Sequence, residues 1–137
     1  MGKVIGIDFG AKRTGIAISD EMQLIASGLT TVSTDDLIQF LQKLVVEENI
    51  TCFVVGYPKN LDGSNTDITN SVNYFISQSK KIFPKIKSCK IDERFTSKIA
   101  KQTILASGVS KKVRRDKKLI DKVSATIILQ NFLDYQS

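Results

Sequence analysis

Three acids in this 137-residue chain stand where chemistry could be done. Asp8 closes the apolar, β-branched run Val4-Ile5-Gly6-Ile7. Glu93 comes at the end of a second strand-like run, Ile86 to Asp92. Asp121 opens a segment with helical spacing, just after a basic stretch. An isolated carboxylate in apolar surroundings is very costly, so Asp8 has to be hydrogen-bonded, paired or bound to a cation. Three carboxylates about 5 Å apart repel by roughly 3 kcal/mol per pair at an effective dielectric constant of about 20. A fold that gathers them needs protons or a cation, and all-oxygen donors suit Mg²⁺ or Mn²⁺, as one ion or two. Each acid also has an ordinary reading. Asp121 could be a first-turn acid favoured by the helix dipole, and Glu93 could pair with Arg94 or Lys98 at the surface. Asp8 is hardest to explain in that way.

The chain contains no histidine. That removes Ser-His-Asp and Cys-His catalytic units and the histidine-containing zinc sites. Two cysteines cannot build a Cys₄ zinc site. Cys52 and Cys89 fall in apolar strand-like runs and read as reduced core residues rather than a disulfide. Charge is unevenly placed. Residues 1–68 carry five Lys and Arg against nine Asp and Glu, whereas residues 69–137 carry fifteen against five, within a net charge of +6. A basic half and a pI near 9.4 favour a polyanionic partner. The six cations Lys111, Lys112, Arg114, Arg115, Lys117 and Lys118 are read as one loop, either a phosphate-binding one or a solvated one.

The elements that must position these groups follow from periodicity. Val4–Gly10 and Thr14–Ser19 read as two strands joined by a tight turn, an antiparallel hairpin. Ala26–Val32 is a third strand. Ser33-Thr34-Asp35-Asp36 reads as a helix start, a hydroxyl cap with acids in the first turn. Leu37, Phe40, Leu41, Leu44 and Val45 then keep helical spacing. Ile50–Val55 is a fourth strand, followed by a polar loop. Further helices are expected over about 66–83, 97–107 and 120–135, with a fifth strand over 86–92. The order β-β-β-α-β-α-β-α-α predicts an α/β fold: a mixed five-stranded sheet with helices on both faces. No repeat, linker or low-complexity stretch interrupts residues 1–137, which reads as one domain. No apolar run approaches the ~20 residues that span a bilayer. A strand at the very start leaves no signal peptide, so a cytoplasmic address is expected.

Four stretches together resemble the YqgF/RuvX family of pre-16S rRNA nucleases and Holliday junction resolvases. They are GIDFGAKRTGIA from Gly6, with Arg13 and Gly15; VVGYPKNLDG from Val54; DERFTS from Asp92; and DKVSATIIL from Asp121. The resemblance implies an RNase H-like fold and a divalent-metal nuclease in which Asp8, Glu93 and Asp121 match the metal-binding acids. It implies processing of the 5′ end of pre-16S rRNA, with DNA-junction cleavage as the alternative. Arg13, Arg94 and the 111–118 stretch become candidates for contact with structured RNA or branched DNA. A junction resolvase makes two symmetric cuts, which suits a homodimer; a trimming nuclease needs no such symmetry, so a monomer or weak homodimer is expected.

Two departures from the better-known resolvase relatives stand out. Gly56-Tyr57-Pro58-Lys59-Asn60 has no acid where they carry one, and Ser124 replaces their second acid one turn after Asp121. With strands about 4.8 Å apart, an acid two strands from Asp8 starts nearly 10 Å away. Two other classes compete. The first motif is also similar to the phosphate hairpin of actin-like ATPases and sugar kinases, but those need two such domains. A nucleic-acid-binding module with little catalysis would carry the same acids and cations.

Overall fold

The structure is a computed structural model that describes residues 2–57, 67–92 and 116–136. Strands β1 (Lys3–Asp8), β2 (Arg13–Ser19) and β3 (Ala26–Ser33) form a meander. Then come α1 (Leu37–Glu47), β4 (Ile50–Tyr57), α2 (Asp67–Ile82), β5 (Lys87–Asp92) and α3 (Lys117–Gln136). The five strands lie in the order β3-β2-β1-β4-β5. Pairing is antiparallel across β1–β2 and β2–β3, and parallel across β1–β4 and β4–β5. This is the mixed sheet expected from the sequence. The helix expected over 97–107 and the basic residues 111–115 lie outside the described residues.

The period-2 alternation of the central strands divides the core in two. Ile5, Ile7, Ile16, Phe53 and Val55 face one way and bury against Leu37, Leu41 and Leu44 of α1 and Val72, Phe75 and Ile76 of α2. Val4, Ala17, Cys52 and Val54 face the other way, onto Ala125, Ile128, Leu129 and Leu133 of α3. Helices therefore cover both faces. Phe53 stacks edge-on against Phe83, with centroids 5.3 Å apart, and fixes the parallel half over the α2 side. Full burial of each such side chain contributes about 1.5–3 kcal/mol. Cys52 and Cys89 are both free thiols, as expected, with their sulfurs 3.9 Å apart in the α3-side core. Burial, and secondarily the neighbouring Cys89, pushes the Cys52 thiol up to about 12.

β4 runs on to Tyr57, beyond the Val55 end expected, because Gly56 and Tyr57 still pair with Ile91 and Asp92 of β5. Three other boundary differences bear on the site. β1 ends at Asp8 rather than Gly10. A Cβ on Gly10 would lie 2.3 Å from the Arg13 carbonyl oxygen, so the chain turns tightly here and only glycine fits. Ser33 makes no side-chain cap bond, and Thr34–Asp36 form a 3₁₀ turn before α1 begins at Leu37. The hydroxyl next door is used for tertiary structure instead: Thr34 Oγ1 donates to the Gly10 carbonyl at 2.6 Å and its N–H to the Lys12 carbonyl at 3.0 Å. Finally, α3 starts at Lys117, not Ile120. Asp116 Oδ1 accepts from the N–H groups of Lys118, at 3.0 Å, and Leu119, at 3.4 Å, as an N-cap. Lys117 and Lys118 therefore belong to the first helical turn rather than to a loop.

Candidate active site

Asp8 sits at the carboxyl end of the central strand. Parity places it with Val4 and Gly6 on the face covered by α3. The next residue, Phe9, is buried in the opposite core and packs on Phe75 at a centroid distance of 5.5 Å. The strand end is thus pinned from the far side. Asp8 pairs with Gly15 across β2 and with Gly56 across β4. Both in-sheet neighbours of this acid lack a side chain, which leaves room around the carboxylate.

Helix α3 comes down onto that space. A Cβ on Gly15 would lie 2.0 Å from the Asp121 carbonyl oxygen. The helix backbone is in direct contact with the sheet there, over the residue paired with Asp8. One strand across, a Cβ on Gly6 would meet Leu129 Cβ at 2.6 Å and the Ala125 carbonyl at 2.9 Å. Small residues at positions 6, 15 and 17 set the height of the helix above the sheet, and that height brings Asp121 to the Asp8 end of β1. Asp121 is the fifth residue of α3, so its position owes more to this contact than to the helix dipole, which fades within the first turn.

Arg13 lies on the same face of β2, two residues before Gly15. Its Nε donates to Asp121 Oδ2 at 3.0 Å, with the side chains 34% and 23% exposed. A cationic group therefore already rests on this carboxylate. One turn along the helix, Ser124 is 1% exposed, and its Oγ has no hydrogen-bond partner among the described residues. Spacing places Ser124 in the same helical row as Asp121 and Ile128.

Of the residues singled out from the sequence, Asp8, Arg13 and Asp121 come to one end of the sheet. Lys117 and Lys118 occupy the first turn of α3, on the approach to Asp121. Glu93, Arg94, Lys111, Lys112, Arg114 and Arg115 lie outside the described residues, Glu93 directly after β5 in sequence. Among the described residues no three acidic, cysteine or histidine side chains are grouped to hold a metal ion. The ion pair of Arg13 with Asp121 is not legible in the sequence. Gly15 stands out there only as a motif residue, and Gly56 as a motif residue at the end of the fourth strand. The signal for them was present in the pairing register: a glycine opposite the acid on each neighbouring strand.

A meander, two parallel additions and a closing helix with an acid at each of two central ends define the RNase H-like class. Two solved structures share this fold. They are the Fowlpox virus resolvase with its substrate Holliday junction DNA (TM-score 0.59, 13% identity, 98% of each chain covered) and T. thermophilus RuvC in complex with a Holliday junction substrate (TM-score 0.59, 13% identity, 100% and 97% covered). The sequence profile of the RuvX family, described as Holliday junction resolvase, matches residues 2–135. The chain belongs to the RuvX (YqgF) family. Its relatives include proteins named "Putative pre-16S rRNA nuclease" from Flavobacterium johnsoniae, 49% identical over 97% of this chain and 96% of the relative, and from Bacteroides thetaiotaomicron, 43% identical over 98% and 97%. Among the described residues no helix is long and apolar enough to cross a membrane.

Proposed function

We propose that this chain is a divalent-metal-dependent phosphodiester hydrolase, acting in the cytoplasm as one domain, that processes the 5′ end of pre-16S rRNA. The observation that carries the catalytic reading is the convergence of Asp8 and Asp121 across Gly15, at the end of the central strand. The names of the curated relatives supply the RNA substrate.

The residues fit a hard cation. The two carboxylates offer oxygen donors, Asp121 already attracts the Arg13 guanidinium, and the Ser124 hydroxyl close by along the helix is buried without a hydrogen-bond partner among the described residues. Mg²⁺ or Mn²⁺, as one ion or two, would be held by Asp8 and Asp121, with Glu93 as the third acid. When bound, such ions activate water and stabilise charge on the leaving oxygen during phosphodiester hydrolysis. The chain's own residues supply the rest. The backbones of Asp8 and Asp121 are held by strand pairing and by the close approach of α3 to Gly15, which limits reorganisation during reaction. Arg13 offsets the charge of Asp121 in the resting enzyme, and its guanidinium is a further donor for a substrate phosphate. Lys117 and Lys118 hold neighbouring phosphates, as do Arg94, Lys111, Lys112, Arg114 and Arg115. Such contacts give affinity and register without base selectivity. The protein works as a monomer or weak homodimer.

The family description and the two junction-bound structural neighbours favour a second reading, cleavage of four-way DNA junctions. One experiment separates the two. Precursor 16S rRNA ends, single-stranded RNA and a four-way DNA junction are incubated with wild type, Asp8→Asn and Asp121→Asn at matched Mg²⁺ and Mn²⁺. Cleavage of the rRNA precursor, lost in both variants, is the expected result. Cleavage of the junction alone establishes the second reading. Salt-sensitive binding with no cleavage by wild type reduces the protein to a binding module.

A further inference from the structure

We infer that the groove between β3 and the start of α3 is a track for the sugar–phosphate backbone of a single nucleic-acid strand, with Lys122 and Lys118 as its two phosphate ligands. The inference rests on the reading of the chain as a nuclease and adds where the strand runs beyond the acids. The groove is about 390 Å³ and is lined by Leu29, Thr30, Thr31, Lys118, Leu119 and Lys122, with Asp116 at its end. It lies at the sheet edge, since β3 is the outermost strand on this side.

Four features make it a built surface. First, Lys118 and Lys122 are one helical turn apart, so their stems leave the same face about 6 Å apart along the axis. Second, the Lys122 stem is seated. A Cβ on Gly28 would lie 2.9 Å from Lys122 Cγ and 3.2 Å from its Cδ, so the glycine opens a channel in which the aliphatic chain lies against the sheet. Third, Thr31 Oγ1 donates to the Lys118 carbonyl at 2.6 Å and ties the strand to the helix across the floor of the groove. Fourth, the charge is net positive. β3 contains no ionisable side chain, the Asp116 carboxylate is engaged by two backbone N–H groups, and neither lysine forms an ion pair among the described residues. Two lysines against one carboxylate, beside a hydroxyl-bearing strand, leave the groove net positive and suit it to phosphates.

The test is a salt titration of binding, read by fluorescence anisotropy in EDTA so that the probe is not cut. The probes are a 12-nucleotide single-stranded RNA and the DNA of the same sequence. The proteins are wild type, Lys118→Gln/Lys122→Gln, Lys122→Arg, and Lys80→Gln/Lys81→Gln on the opposite face as a charge-matched control. Circular dichroism confirms that each is folded. The slope of log K against log salt should fall by about 1.4 in the first double variant, about 0.7 for each lost contact on a single strand. It should stay at the wild-type value in Lys122→Arg and in the control. RNA and DNA should lose the same slope. An unchanged slope in Lys118→Gln/Lys122→Gln overturns the track, as does an equal fall in the control or a loss confined to one of the two probes. Cleavage is not read here. A chain that binds through the groove and cuts nothing would therefore refute the nuclease reading and leave the track standing.

Discussion

The two faces of the sheet are built on opposite rules. The α1–α2 face is filled by large side chains: Ile5, Ile7, Ile16 and Phe53 are each fully buried there. The α3 face is almost bare at its centre, with Gly6, Gly15, Ala17 and Gly28 beneath the helix. Bulk on the first face keeps helices at side-chain distance and buries apolar area. Smallness on the second lets a helix backbone touch the sheet. The first face therefore supplies most of the stability, and the second supplies placement. That is why the candidate acids Asp8 and Asp121, together with Arg13 and Lys122, belong to the second face.

The sharpest way to break the contrast is at the acids themselves. Asp8→Asn or Asp121→Asn should lower cleavage by roughly a thousandfold, a loss of about 4 kcal/mol of transition-state stabilisation. Urea unfolding of the same variants should move by no more than about 1 kcal/mol. Phe53→Ala, on the bulky face, should do the reverse. It should cost about 3–5 kcal/mol of stability by urea titration, while the activity per folded molecule stays close to wild type.

Gly15→Ala should strike both quantities, because the added methyl meets helix backbone rather than a flexible side-chain end. A stability loss of about 1–3 kcal/mol should come with a fall in turnover that persists after correction for the unfolded fraction. If turnover recovers fully on that correction, the close approach at Gly15 does not place Asp121. A smaller effect is expected at Arg13→Gln. The pair with Asp121 is partly exposed, so stability should change by less than about 1 kcal/mol. Divalent-cation affinity, measured by calorimetry without substrate, should rise because the guanidinium no longer competes for Asp121.

The smallest effect concerns Cys52. With its thiol pushed up to about 12 by burial, the reactive thiolate dominates only above that pH. At pH 8 only roughly one molecule in ten thousand carries it. Iodoacetamide should leave Cys52 unmodified in the native protein at pH 8 and label it once urea exposes it, as read by mass spectrometry.

Much of this was legible in the residues. The β-branched run before Asp8 could only be a buried strand, and an acid at its end demanded a partner. The hairpin, the alternation of later strands with helices and the mixed sheet followed from period and turn chemistry. Local signals failed where a side chain had a tertiary use. Ser33 and Thr34 have the composition of a helix cap, yet Thr34 spends its hydroxyl on Gly10. The basic stretch read as one loop, but Asp116 caps α3 early enough to draw Lys117 and Lys118 into the helix. Gly15 stood out only as a motif residue, whereas its role is to let a helix from the far end of the chain touch the strand.

The sequence by itself determined the strand that carries Asp8, the helix that carries Asp121, the lack of histidine chemistry and the family. Those properties depend on residue type and short-range period, which the chain states directly. Only the tertiary structure decided that Asp121 meets Arg13, 108 residues away, that both neighbours of Asp8 in the sheet are glycines, and that Lys122 lies in a channel over Gly28. These depend on register and on the height of a helix above a sheet. Both are set by many contacts at once, so no local pattern encodes them.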